Sequence, residues 1–144
     1  MVLTRQLGRN GPQVTAIGFG AMSIGGAYGQ QDTIESKLKV LDRAHEIGET
    51  FWDTADVYSD SEEIIGKWFK RTGKRSDIFL ATKSALDFSA GVLIVRSDPE
   101  YIKLACEKSL KTMGIETIDL YYCHRVDSKT PIEKTIQAMV ELKK

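Results

Sequence analysis

The sequence has little of several things. Among 144 residues there are 2 cysteines, 2 histidines and 3 prolines, and 20 lysines and arginines are balanced by 20 aspartates and glutamates. So few cysteines exclude a disulfide scaffold. Cys106 and Cys123 fall in apolar-patterned segments with no Cys or His at ligand spacing, so both are read as buried free thiols and no metal site is expected. A formal net charge of zero excludes a dedicated nucleic-acid or acidic-membrane binder. No apolar run approaches about 18 residues, the length a membrane helix needs. The segment from Met1 to Leu7 lacks the basic and apolar regions of a signal peptide, so a cytoplasmic location is expected. What is present, 42% hydrophobic and 28% charged residues, is the profile of one globular domain. A chain of this length buries roughly 68–70% of the surface its unfolded form exposes.

Short apolar runs alternate with segments of helical period. Ala16 to Gly20 reads as a strand, after which Asp32 caps a helix whose stripe is Ile34, Leu38, Leu41 and Ala44, with Gly48 as its stop. Thr50 to Asp53 is the second strand. Ser59 and Glu62 form a capping box for a helix that buries Ile64, Ile65, Trp68 and Phe69 and ends at Gly73. Ile78 to Thr82 is the third strand, followed by an irregular stretch from Ser84 to Ser97. Asp98 and Pro99 then open a helix with Ile102, Ala105, Cys106, Ser109, Leu110 and Met113 on one face, closed by Gly114. Ile118 to Cys123 is the fourth strand, and Thr130-Pro131 caps a last helix with Ile132, Ile136, Met139 and Val140 as its stripe, running to Lys144. Strands alternating with helices imply parallel βαβ units. Ahead of them, Thr4–Leu7 and Gln13–Thr15 flank a turn and read as a hairpin.

Some features carry no chemistry. The glycine cluster from Gly18 to Gly29 fails as a dinucleotide fingerprint, because Ser23 stands at the third glycine position and no helix opens there. Gly73-Lys74 lacks the upstream glycine of a P-loop. The basic run Lys67, Lys70, Arg71, Lys74 and Arg75 sits at a helix C-terminus, where cations complement the dipole. His45, near the end of the first helix, reads the same way.

The informative pattern lies at the strand ends. Asp53 ends the second strand, Lys83 follows the third and His124 follows the fourth, and in parallel α/β folds these ends share one face. Tyr58, five residues past Asp53, joins them from the same loop. An isolated tyrosine ionises near pH 10, and an adjacent ammonium lowers that value by stabilising the phenolate. Lys83 supplies such a charge, Asp53 holds it in place, and His124 is suited to donate to a substrate oxygen. Spacing alone leaves open a plain Asp53–Lys83 ion pair with Tyr58 and His124 lining the loops.

On these residues the sequence resembles the aldo-keto reductase superfamily, in particular its aryl-alcohol dehydrogenase-like branch. The resemblance runs from Phe51-Trp-Asp53-Thr-Ala-Asp-Val-Tyr58, with Ser61-Glu62 and Gly66, through Ala81-Thr-Lys83 to Leu120-Tyr-Tyr-Cys-His124-Arg-Val-Asp127 with Thr130-Pro131. It implies NADPH-dependent reduction of aldehydes or ketones, or the reverse oxidation, on a (β/α)₈ TIM barrel. By the same resemblance Tyr58 is the proton donor, Lys83 lowers its pKa, Asp53 pairs with the lysine and His124 orients the carbonyl. Ala21, Met22 and Ser23, with Asp53, match positions beside the nicotinamide ribose. After Lys83, Ser84-Ala-Leu-Asp-Phe88 departs from the Phe-Gly common in the family, which alters the pocket wall.

A complete barrel has eight units and about 250 residues, whereas four strands and four helices are counted here. Residues 1–144 are therefore expected to form the N-terminal half of such a barrel, one partial domain stopping after the fourth βα unit. The expected ligands are a small carbonyl substrate and NADP(H), the latter bound weakly or not at all by this length of chain. The first and last strands are expected to be open edges that favour self-association. A catalytically impaired fragment, or a binding or regulatory module without turnover, is the alternative.

Overall fold

A computed structural model describes residues 2–27 and 32–143; Met1, Tyr28 and Gly29 of the glycine cluster, and Lys144 lie outside them. The chain opens with an antiparallel hairpin, β1 (Thr4–Gln6) and β2 (Gln13–Thr15), as its turn residues predict. Four parallel strands follow, β3 (Phe19–Gly20), β4 (Phe51–Asp53), β5 (Phe79–Ser84) and, beyond a small ribbon of β6 (Leu86–Asp87) and β7 (Ile94–Val95), β8 (Leu120–Cys123). They form one sheet in the order β3-β4-β5-β8. The connections are α1 (Ile34–Glu46), α2 (Ser61–Thr72) and α3 (Pro99–Met113), and α4 (Ile132–Leu142) follows the last strand. This is the arrangement of four consecutive units of a (β/α)₈ barrel.

The helix stops fall where the glycines predict. Gly48, Gly73 and Gly114 have φ of 87°, 69° and 65°, a left-handed conformation that glycine alone adopts without a Cβ penalty. Asp98 caps α3 as read, accepting the Tyr101 N–H, with Pro99 in the first turn. Two starts differ. The α1 cap is Thr33, whose hydroxyl accepts the Ser36 N–H, and not Asp32. Helix α2 begins at Ser61 behind Asp60, so Ser59 makes no capping box. Asp60 instead receives Lys37 Nζ at 2.8 and 2.9 Å, an ion pair that ties α1 to α2 with the lysine only 4% exposed.

The main core lies between the sheet and α1–α2. Trp52 is fully buried, with the rings of Trp68 at 4.8 Å, Phe69 at 6.2 Å and Phe19 at 6.0 Å. Replacing such a side chain by alanine costs about 3–5 kcal/mol. Leu41, Ile64, Ile65, Leu80 and Met113 belong to the same cluster. Gly66 lets α2 lie against the end of α3, because a Cβ there would fall 2.7 Å from the Met113 carbonyl oxygen.

A smaller cluster of Ala85, Ile102 and Ala138 lies under α3 and α4. Here the stripe expected on the last helix is corrected in part: Ile132, Ile136 and Val140 are exposed and Met139 packs half-buried against this cluster, while Thr135 and Ala138 are buried. Pro131, with no side-chain hydrogen bond, stands at its cap in place of Thr130. Cys106 is buried and Cys123 half-buried, and both thiols are free. The stretch read as irregular holds the β6–β7 ribbon, reached through Ala85 at φ 86°, a left-handed value rare outside glycine. No helix among the described residues is long and apolar enough to cross a membrane.

Candidate functional site

The strand register decides which side chains meet. Asp53 is level with Ala81, and Lys83 with Tyr122. Side chains alternate along a strand, so Lys83 shares the face of Ala81 and Asp53, and His124 the face of Tyr122 and Lys83. The intervening residues point to the helix layer, where Thr82 donates to Glu62 at 2.7 Å and Tyr121 to the Ile102 carbonyl at 3.1 Å. Sequence alternation therefore sends the three titratable groups to one side of the sheet.

Lys83 is the hub. Its ammonium donates to the Asp53 carboxylate, to the Thr54 carbonyl at 2.8 Å and to the Tyr58 phenol oxygen at 3.4 Å. An ammonium has three N–H donors, and each has an acceptor here. The same nitrogen lies 4.9 Å from the Tyr58 ring centroid. His124 also packs on that ring, with centroids 5.8 Å apart and planes at 87°. All four expected residues, Asp53, Tyr58, Lys83 and His124, thus come together.

The Tyr58 loop is held from several sides. The Asp56 amide donates to the Lys83 carbonyl at 3.0 Å, the Thr54 amide to Ala81 at 2.9 Å, and Tyr58 accepts the Ser61 amide at 3.0 Å. Ser59 has φ 50°, a conformation that turns the chain from the tyrosine into α2. A Cβ on Gly25 would fall 2.1 Å from the Tyr58 carbonyl oxygen, so the 3₁₀ turn Met22–Gly25 rests against this loop.

Burial, and then the positive charges of Lys83 and Arg125, push the His124 imidazole below its ordinary value, with Asp53 opposing them. The ring is thereby favoured in its neutral form. Among the described residues its Nδ1 is buried without a hydrogen-bond partner. Behind the tetrad, on the helix side, Asp56 is pushed up to about 7 by burial and by Glu62, against the pull of Lys108. Burial raises Glu62 as well, with Thr82 opposing it.

Of the residues expected beside a cofactor, Ala21 is fully buried, its amide on the Asp53 carbonyl at 2.8 Å and its carbonyl accepting Ser61 Oγ at 2.9 Å. Met22 and Ser23 are exposed, and a Cβ on Gly20 would meet nothing within 4 Å. A hydroxyl, a carboxylate and an apolar side chain beside open space fit the ribose and ring of a nicotinamide nucleotide. Among the described residues no group of three or more His, Cys, Asp or Glu is poised around a metal ion. The sequence offers no site role for Asp56 or Asp127, and Glu62, which it presents as a capping-box residue, instead accepts the Thr82 hydroxyl in the helix layer. The signal for Asp127 was available in Asp-Ser-Lys-Thr130, a typical Asx turn.

The Aldo/keto reductase family model matches residues 16–144. The chain is 51% identical over 146 residues to the aldo-keto reductase str7 of Strobilurus tenacellus, covering 98% of this chain and 42% of that one. It is 45% identical to the aldo-keto reductase yakc [NADP(+)] of Schizosaccharomyces pombe, over 94% of this chain and 40% of that one. The fold superimposes on the holo form of aldo-keto reductase AKR11C1 from Bacillus halodurans with a TM-score of 0.87 and 35% identity, covering 99% of this chain and 47% of that structure. The chain thus spans about two fifths of the length of the curated relatives it matches.

Proposed function

The chain belongs to the aldo/keto reductase family, and from that premise we propose that its tetrad is the proton-delivering side of a carbonyl reductase. The reaction is reduction of an aldehyde or ketone to the alcohol, or the reverse, with NADP(H) as the redox partner. When bound, the nicotinamide supplies a hydride to the carbonyl carbon. Tyr58 gives its phenol proton to the carbonyl oxygen, and Lys83 stabilises the charge left on the phenolate. Asp53 anchors Lys83, and the neutral imidazole of His124 donates a hydrogen bond that orients the carbonyl. Such preorganised donors lower the barrier because they need not reorganise as charge develops. Met22, Ser23 and Asp53 would hold the ribose end of the cofactor.

One observation carries this reading: the ammonium of Lys83 stands between Asp53 and the Tyr58 oxygen, 3.4 Å from the latter. The relative named with NADP(+) supports the choice of cofactor. Incubation with NADPH and an aromatic aldehyde, followed by loss of NADPH absorbance, tests it. Turnover that disappears in Tyr58→Phe is the expected result, and turnover unaffected by that change overturns it.

Residues 1–144 taken by themselves are expected to bind NADPH weakly and to associate through the outer edges of β3 and β8; sedimentation of that segment checks the second point, and a stable monomer contradicts it. Binding of NADPH with no turnover at all favours a regulatory module instead.

A further inference from the structure

We propose that Asp127 is a positioning residue for His124, fastening the loop after β8 so that the imidazole stays against Tyr58. The inference rests on the reading of His124 as the residue that orients the carbonyl. It starts from how the ring is held. Among the described residues His124 Nδ1 is buried with no hydrogen-bond partner, so the imidazole is placed by its packing against Tyr58 and by the backbone that carries it. On the near side, the His124 amide donates to the Ser84 carbonyl at 2.7 Å. There the ladder ends, because Ala85 turns away at φ 86°.

The far anchor is three residues on. One Asp127 oxygen accepts the amides of Lys129 at 2.7 Å and Thr130 at 2.5 Å. The other accepts the Ser97 amide at 2.9 Å and the Thr130 hydroxyl at 3.0 Å. In return the Asp127 amide donates to Ser97 Oγ at 3.1 Å. Ser97 is itself fully buried, and its carbonyl accepts the Thr135 hydroxyl of α4 at 2.6 Å. The Ser97 segment therefore meets both the loop after β8 and the start of α4 in one knot, and only Arg125 and Val126 lie between it and the histidine. Such a short span leaves little slack for the ring to swing.

The test uses the fact that the chain has 2 histidines, whose ring protons are resolved by NMR. His124 and His45 are titrated in the wild type, in Asp127→Ala and in Ser97→Ala. If the knot holds the ring in place, both variants release it toward water, its pKa climbs toward the ordinary 6.5, and the Tyr58–His124 ring NOEs weaken. Loss of the Asp127 charge by itself moves the pKa the other way, because an anion favours the imidazolium. The sign therefore separates positioning from electrostatics. His45, bonded to Asp77, is expected to stay unchanged. Ser97→Ala keeps the Asp127 charge and removes only the bond from the Asp127 amide to Ser97 Oγ, so a smaller shift of the same sign is expected, and it replaces Asp127→Ala as the test if that variant does not fold. An unchanged or lower His124 pKa in folded Asp127→Ala, or in Ser97→Ala where only that variant folds, with NOEs intact, overturns the proposal. The readout needs no turnover, so an inactive wild type would count against the reductase reading alone.

Discussion

The Lys83 ammonium lies 3.4 Å from the Tyr58 oxygen, and the Lys83 carbonyl, 3.0 Å from the Asp56 amide, holds the loop on which that tyrosine is carried. One residue thus sets both the charge beside the phenol and the position of the loop that carries it. Removal of the phenol in Tyr58→Phe is expected to lower kcat for carbonyl reduction by about 10²–10⁴, the usual contribution of a general acid. Lys83→Met is expected to lose at least as much while keeping its backbone bond. Steady-state rates with NADPH and an aromatic aldehyde check both, and a Lys83→Met enzyme of wild-type kcat would refute the pairing.

Gly25 has no room for a methyl group, since its Cβ would lie 2.1 Å from the Tyr58 carbonyl oxygen. Gly25→Ala is expected to cost about 1–3 kcal/mol, as overpacking generally does. It should also displace Tyr58 from His124. Urea unfolding measures the first effect and ring NOEs the second, and wild-type stability in the variant would show that the turn yields freely.

Asp56 gives stability a pH dependence. Its carboxyl titrates near 7 in the fold against 3.8 when unfolded, so between those values the unfolded chain binds fewer protons and folding weakens as pH rises. Asp56→Asn removes this loss. The variant is expected to match or trail the wild type near about pH 4 and to exceed its Tm by about 3 °C or more near about pH 8. Tm differences that do not vary with pH would sink the assignment.

The Lys37–Asp60 pair is lopsided, with the lysine side chain 4% exposed and the aspartate 32%. Asp60→Ala strands the buried ammonium and is expected to cost about 3 kcal/mol. Lys37→Met leaves a carboxylate that water can reach, at about 1 kcal/mol. Equilibrium unfolding of both variants gives the order, and a costlier Lys37→Met contradicts it.

Much of this fold is written in local signals. Gly48, Gly73 and Gly114 stop helices because each takes a left-handed φ, and Asp98-Pro99 starts one through a cap that needs no distant partner. Asp53, Lys83 and His124 were readable as one site because parallel strands end on one face. Tertiary preferences hid the rest. Asp60 is drawn to Lys37 on another helix, which no periodicity reveals. Helix α4 turns Thr135 inward, despite the more apolar stripe beside it, because Ser97 offers a buried carbonyl. The raised value of Asp56 comes from burial and from Glu62 on α2, with Lys108 on α3 opposing them, an environment that only the packed layers create.

The strand order β3-β4-β5-β8 follows the order of synthesis. Each strand of this sheet adds beside the one before it, and each helix packs against its predecessor. No early strand waits for a later one to enter between existing partners. Contacts therefore stay short in loop-closure entropy, and Trp52 can be enclosed by α1, α2 and β5 before α4 has left the ribosome. The part made by Asp53, Tyr58 and Lys83 is then complete early, and His124 is the last of the four to arrive.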